Sequence, residues 1–171
     1  MQIEFANKQH HQSLVDLLYE MCLYYDPDST ASKADVRQHL TGNLLAPDSA
    51  VRLVVVSDNG IDVRGFAAIS MFHSLVDPMS QTATQLFMKE LYIRSSCRSC
   101  GLGKAVMKWI AGYALSKGCA RMDWTVNSSN HAAQDFYHSL GAAYVADRWH
   151  YRMTAEGLSN LASRNESRFH D

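Results

Sequence analysis

Between Arg98 and Lys104 the chain reads Arg-Ser-Cys-Gly-Leu-Gly-Lys, a run suited to holding an anion against the main chain. A helix is expected to begin at once, because Ala105, Val106, Trp109, Ile110 and Tyr113 recur at helical spacing. The first N–H groups of such a helix have no partner within it. Those donors and the positive end of the helix dipole favour an anion, most often phosphate. Gly101 and Gly103 admit a positive φ and let a ligand approach the backbone. Ser99 and Cys100 offer main-chain N–H groups rather than side chains, Leu102 completes the loop, and Arg98 and Lys104 add mobile positive charge. A second cluster, Glu20, Tyr24, Tyr25 and Asp26, gathers carboxylates and aromatic faces that suit a cationic amine. An ordinary helix end with solvated acids is the plainer reading of those four residues. Cys97-x-x-Cys100 has the spacing of a redox pair or of half a zinc site. No second pair exists, and Cys22, Cys119 and the eight histidines are scattered without ligand spacing. No metal is expected.

The elements that must position these residues are legible in outline. Gln2 to Phe5 reads as a short strand, and a helix from about residue 8 to 25 carries Leu14, Leu17, Leu18, Met21 and Cys22 on one face. A second helix is predicted over about 32–45. Val51 to Ser57 and Val63 to Phe72 form a hairpin around Asp58-Asn59-Gly60. A polar loop over 73–84 leads to a strand from Gln85 to Ile93, which feeds the anion loop. The helix of 101–117 ends at Gly118. A strand follows from Ala120 to Val126, then a helix from Asn130 to Leu140 ending at Gly141. One or two further strands are predicted over Ala142 to Met153, and a polar, frayed tail over about 160–171. The result is an α/β fold around a mixed, mostly antiparallel sheet flanked by about four helices, in a single domain spanning 1–171.

The chain of 171 residues is long enough for one core. Sixteen basic residues stand against 17 acidic ones, so a concentrated basic face for nucleic acid is not expected. No apolar run reaches the roughly eighteen residues of a membrane helix, and no secretion signal is expected, since Met1 to His11 lacks a basic region followed by an apolar one. Four cysteines do not look like a disulfide framework, and the expected location is the cytoplasm.

Two nucleotide motifs fail at the loop. The third glycine of the dinucleotide fingerprint would fall at Val106, and Gly-x-x-x-x-Gly-Lys-Ser/Thr has no match. The run Arg98-x-x-Gly101-x-Gly103 instead resembles the pyrophosphate loop of the GNAT superfamily of acetyl-CoA-dependent N-acetyltransferases. The segment Asp123 to Ala142 resembles that superfamily's second signature: a strand, an asparagine, and a helix with Phe-Tyr before Leu-Gly-Ala. The phrases LLYEMCLYYD, GFAAISMF and LFMKELYI are similar to the diamine (spermidine/spermine) and thialysine N-acetyltransferase branch.

The resemblance implies acetyl-CoA as co-substrate, held where the fourth and fifth strands splay apart. Freed main-chain groups of Leu91, Tyr92 and Ile93 would bind the pantetheine arm, with Asn130 beside it. Helix N-capping is an alternative role for Asn130. Tyr137 becomes the candidate acid for the thiolate, with Phe136 packed below, although Tyr137 could equally be a core tyrosine. Glu90 becomes the candidate base, directly or through water, because alkyl ammonium groups have a pKa of roughly 10 and must lose a proton; a solvent-facing charge, or one paired with a basic residue, is the alternative reading of Glu90. Relatives that acetylate small diamines carry two consecutive acids where this chain has Lys89-Glu90; simple alternation would send these two side chains to opposite faces. Tyr24, Tyr25 and Asp26 would receive a small-molecule amine, and a homodimer is implied. The alternatives are a protein or peptide N-acetyltransferase and a non-catalytic acyl-CoA sensor.

Overall fold

The computed structural model describes residues 1–73, 75 and 84–163. Most of the expected 73–84 loop and residues 164–171 of the expected tail therefore lie outside the described residues. The chain forms two compact units, Met1–Asn130 and His131–Asp171.

The first unit contains a five-stranded sheet in the order β1-β2-β3-β4-β5. Its strands are β1 (Gln2–Phe5), β2 (Arg52–Ser57), β3 (Val63–His73), β4 (Thr84–Ile93) and β5 (Cys119–Trp124). Neighbours pair antiparallel except β4 and β5, which run parallel. Its helices are α1 (His11–Tyr25), α2 (Lys33–His39) and α3 (Leu102–Ser116). The first predicted helix opens with a separate 3-10 turn over Lys8–His10, capped by the Asn7 side chain. The second is shorter than predicted as an α-helix. Ser32 and Asp35 form a capping box at its start, and after His39 the chain widens into a π-helical turn over Leu40–Leu44.

The sheet buries both faces. Leu53, Val55, Phe66, Ala68 and Tyr92 pack with Leu14, Leu17 and Leu18 of α1 and with Leu40. Full burial of Leu14 and Leu17 contributes on the order of 2 kcal/mol each. The alternate residues Val54, Val56, Ala67 and Ile69 are equally buried and lie on the other face. There α3 supplies Val106, Met107 and Ile110.

One irregularity decides which way the end of β4 points. Ala68 pairs with Glu90 and Ile69 with Met88, so Lys89 is an extra residue, a β-bulge. In an unbroken strand Met88, Glu90 and Tyr92 would share a face. Instead Met88 stands opposite Ile69 on the α3 side, whereas Glu90 and Tyr92 turn toward α1 with Ala68. The simple alternation expected at Lys89-Glu90 is thus replaced by a bulge.

The parallel ladder of β4 with β5 runs from Thr84↔Cys119 to Met88↔Trp124 and stops. Beyond Met88, the residues from Lys89 to Ile93 continue to pair only on the β3 side, apart from the bulge residue. This is the splay that the sequence resemblance implied.

The second unit contains α4 (His131–Ser139) and α5 (Ala155–Ala162). Gly141, at φ +87, follows the end of α4, and its N–H donates to the His138 carbonyl at 2.9 Å. The strands expected over Ala142 to Met153 are corrected: no strand forms there among the described residues. Tyr144, Trp149 and Tyr151 are each more than 80% exposed, so their β-favouring side chains have no packed surface to lie on. Propensity without a neighbouring strand does not make a ladder. Residues 160–162 of the expected tail belong to α5. Thr154 caps α5 by accepting from the Gly157 N–H at 3.3 Å, a helix start that the strand expectation for this stretch obscures. No helix among the described residues is long and apolar enough to cross a membrane.

Candidate functional site

The end of β4 and the start of α3 build a main-chain cradle. After Ile93 the chain makes a 3-10 turn over Ser95–Cys97. It then takes left-handed conformations at Ser99 (φ 60) and Gly101 (φ 80). Such residues turn successive N–H groups toward one side and form an anion-binding concavity. Gly101 is the N-terminal cap of α3, and no side chain caps that helix. A Cβ built on Gly101 meets nothing within 4 Å, so the approach to the backbone is open. The first-turn donors, including those of Gly103 and Lys104, thus face no capping side chain and can donate to a phosphate. Leu102 begins the helix, Lys104 and Cys100 are exposed, and Cys97 is half-buried.

Arg98 differs from the mobile cation expected. Its Nε donates to the Ile93 carbonyl at 3.1 Å. Its guanidinium lies 5.0 Å from the Tyr24 ring centroid and 5.4 Å from that of Tyr92. Arg98 therefore fastens the base of the loop and gives the Ile93 carbonyl an internal partner. It also occupies a cation–π position on Tyr24 that an amine was expected to use.

Around Glu20 the loop is tied to α1. The Glu20 carboxylate accepts from the Ser95 N–H at 2.8 Å, Arg94 Nη1 at 3.1 Å and the Tyr92 hydroxyl at 3.3 Å. Burial pushes the Glu20 carboxyl up, but the Ser95 donors, the Arg94 charge and the Tyr92 hydroxyl together hold it below its ordinary value. This anchor was not legible locally, since Glu20 and Ser95 lie 75 positions apart. In sequence Glu20 looked like part of the amine cluster.

Glu90 is placed quite differently. Tyr25, at the end of α1, donates its hydroxyl to Glu90 Oε1 at 3.1 Å. The bulge at Lys89 makes this meeting possible by turning Glu90 toward α1. Burial pushes the Glu90 carboxyl up, and the Tyr25 hydroxyl only partly offsets it. Tyr25 is pushed up to about 12, by burial first and then by the neighbouring carboxylate. It therefore stays protonated and acts as a donor. A half-buried carboxylate with a raised pKa can take a proton from an ammonium near neutral pH. Lys89 is exposed, as is Asp26 at the C-cap of α1.

On β4, Leu91, Tyr92 and Ile93 have no β5 partner, so an extended ligand can run along that edge. Asn130 stands directly before α4 and donates its N–H to the Asn127 carbonyl at 2.9 Å. In the second unit Phe136 and Tyr137 are adjacent on α4, with ring centroids 5.0 Å apart. Among the described residues, no three His, Cys, Asp or Glu side chains come together as a metal site.

Comparison with known proteins adds independent findings. Residues 13–142 match the model of the acetyltransferase (GNAT) family. A thialysine N-epsilon-acetyltransferase of Sus scrofa is 26% identical over 65% of this chain and 81% of its own length. Among solved structures, an integron cassette protein from the mobile metagenome of V. cholerae is 32% identical, with a TM-score of 0.85 over 95% of this chain and 97% of its own. An aminoglycoside N-acetyltransferase in complex with CoA is 19% identical, with a TM-score of 0.62 over 90% of this chain and all of its own. At that identity it shares the fold alone.

Proposed function

The chain belongs to the acetyltransferase (GNAT) family, and on that footing we propose that it moves the acetyl group of acetyl-CoA to the primary amine of a small cationic metabolite. A diamine or polyamine leads, with an amino acid or an aminoglycoside next. The observation that carries this reading is the continuity of the open β4 edge beyond Met88 with the uncapped start of α3. One offers main-chain groups to a pantetheine arm, and the other offers donors to a pyrophosphate.

Acetyl-CoA supplies the activated acyl group, and the chain supplies position and proton handling. Leu91 and Tyr92 hold the arm along β4. Ser99, Cys100, Gly101, Gly103 and Lys104 receive the phosphates, and Asn130 supports the pantetheine region. Glu90, oriented by Tyr25, takes a proton from the ammonium, directly or through water. Tyr137, beside Phe136, delivers a proton to the departing thiolate. No covalent acyl-enzyme is needed, since Cys97 and Cys100 belong to the loop. Holding amine and thioester together supplies much of the rate.

The acceptor assignment draws on the relatives named for acetylating thialysine at its ε-nitrogen. The half-buried Glu90 and the exposed Asp26 supply negative charge beside Tyr25, which favours a cation. Arg98 on the Tyr24 ring moves the expected amine contact toward Tyr25 and Asp26. The reading includes a homodimer. It also includes a cytoplasmic setting, supported by four cysteines that are all free thiols.

The test is CoA release from acetyl-CoA against diamines, polyamines, amino acids, aminoglycosides and peptides, with Tyr137→Phe run beside the unmutated chain. Turnover with short diamines, reduced about a hundredfold in the variant, is the expected result. Turnover with peptides alone would overturn the acceptor class. Binding of acetyl-CoA without any turnover would favour a sensor.

A further inference from the structure

We propose that Glu20 is a positioning residue for the cofactor loop, acting through Ser95 and Arg94 to hold the cradle in register with the open edge of β4. The inference rests on reading that loop as the pyrophosphate site.

The geometry points this way because Glu20 touches the chain where strand becomes loop. Ser95 begins the 3-10 turn that leads into the cradle. Its N–H is fastened to Glu20 Oε1, and the preceding Arg94 binds Oε2. Tyr92, on the edge proposed to carry the pantetheine arm, reaches the same carboxylate through its hydroxyl. One α1 side chain thus binds both segments that must receive a single extended ligand. Arg98 completes the frame by binding the Ile93 carbonyl and stacking on Tyr92.

The Glu20 and Arg94 side chains are only 26% and 23% exposed, so their attraction is less screened than that of a surface pair. Both Glu20 oxygens are engaged. An amine would have to displace one of these donors to bind Glu20, so the carboxylate is better suited to holding the loop than to receiving substrate.

This role predicts a fragment-selective defect. CoA spans both edge and cradle, whereas pantetheine uses the edge alone. Glu20→Ala should raise the Kd for CoA roughly tenfold or more, the scale of losing hydrogen bonds to a charged group. The Kd for pantetheine should change far less, because the β3 ladder still holds the edge main chain when the Tyr92 hydroxyl loses its partner, and the KM for the amine should stay unchanged. Glu20→Gln keeps an acceptor for the Ser95 N–H but loses the charge pair, and should fall between. Arg94→Ala should reproduce the Gln defect. Kd values by calorimetry for CoA and by ligand-observed NMR for pantetheine provide the readout.

Equal weakening of both ligands would overturn the proposal in favour of a general packing role. An unchanged CoA affinity would overturn it outright, and a raised amine KM in that case would return Glu20 to the acceptor site. If Glu20→Ala does not fold, Glu20→Gln and Arg94→Ala decide by the same criteria. An unmutated chain that binds no CoA would overturn the parent reading as well, and that result is distinguishable because it needs no variant.

Discussion

Glu20 projects from α1 toward the end of β4 and Glu90 projects from β4 toward the end of α1, yet their surroundings give them opposite chemistry. Three donors converge on Glu20, and its carboxyl is held below the ordinary value despite burial. Glu90 has the Tyr25 hydroxyl, and burial leaves its carboxyl above the ordinary value. A carboxylate saturated with donors is a fastener, because taking up a proton would cost those bonds. A buried carboxylate with few donors is poised to change its charge. The difference lies in the partners, since the residue type is the same.

The largest effect should come from removing the poised group. Glu90→Gln should lower kcat about a hundredfold or more while leaving the melting temperature unchanged or slightly higher. The sign follows from the raised folded-state pKa: above that pKa the ionised form is disfavoured by folding, and an amide escapes that cost. Steady-state kinetics beside a thermal melt will show it. A kcat within a few-fold of the unmutated chain would erase the contrast with Glu20.

An intermediate effect concerns stability in acid. Glu20 has a depressed folded-state pKa, so its contribution is fully present above the ordinary value of 4.5. That contribution is lost as pH falls through the folded-state pKa. The unmutated chain should therefore exceed Glu20→Gln in stability by about 1 kcal/mol near neutrality, and the gap should close below pH 4.5. Urea melts across that range measure the gap. A gap independent of pH would mean that ionisation of Glu20 is not what fastens the loop.

The smallest effect sharpens the comparison rather than breaking it. The Tyr25 hydroxyl donates to ionised Glu90 and so lowers its pKa. Tyr25→Phe should move the acidic limb of the kcat–pH profile to higher pH, with the plateau little changed. A limb that stays in place would separate that titration from the Tyr25–Glu90 bond.

Much of the frame is legible in the amino-acid sequence. Apolar spacing locates α1 and α3, and the Asp58-Asn59-Gly60 turn locates the hairpin of β2 and β3. Gly101 marks the turn into α3 because its type matters for main-chain conformation within a few residues. The same local logic fails where partners are distant. Tyr144, Trp149 and Tyr151 read as strand-formers, but each is more than 80% exposed and none forms a strand among the described residues. Arg98 reads as a free cation, yet stacking on Tyr24 and Tyr92 confines it.

Periodicity, glycine placement and motif spacing are written along the chain, and they carry the element order as far as α4 and the family. Which carboxylate is fastened and which is left with few donors is settled by the packing of distant elements. That choice depends on a bulge at Lys89 and on contacts between positions more than 60 apart. An acid's pKa reports the charges, donors and burial around it in space, and those are assembled only when α1 packs across the sheet.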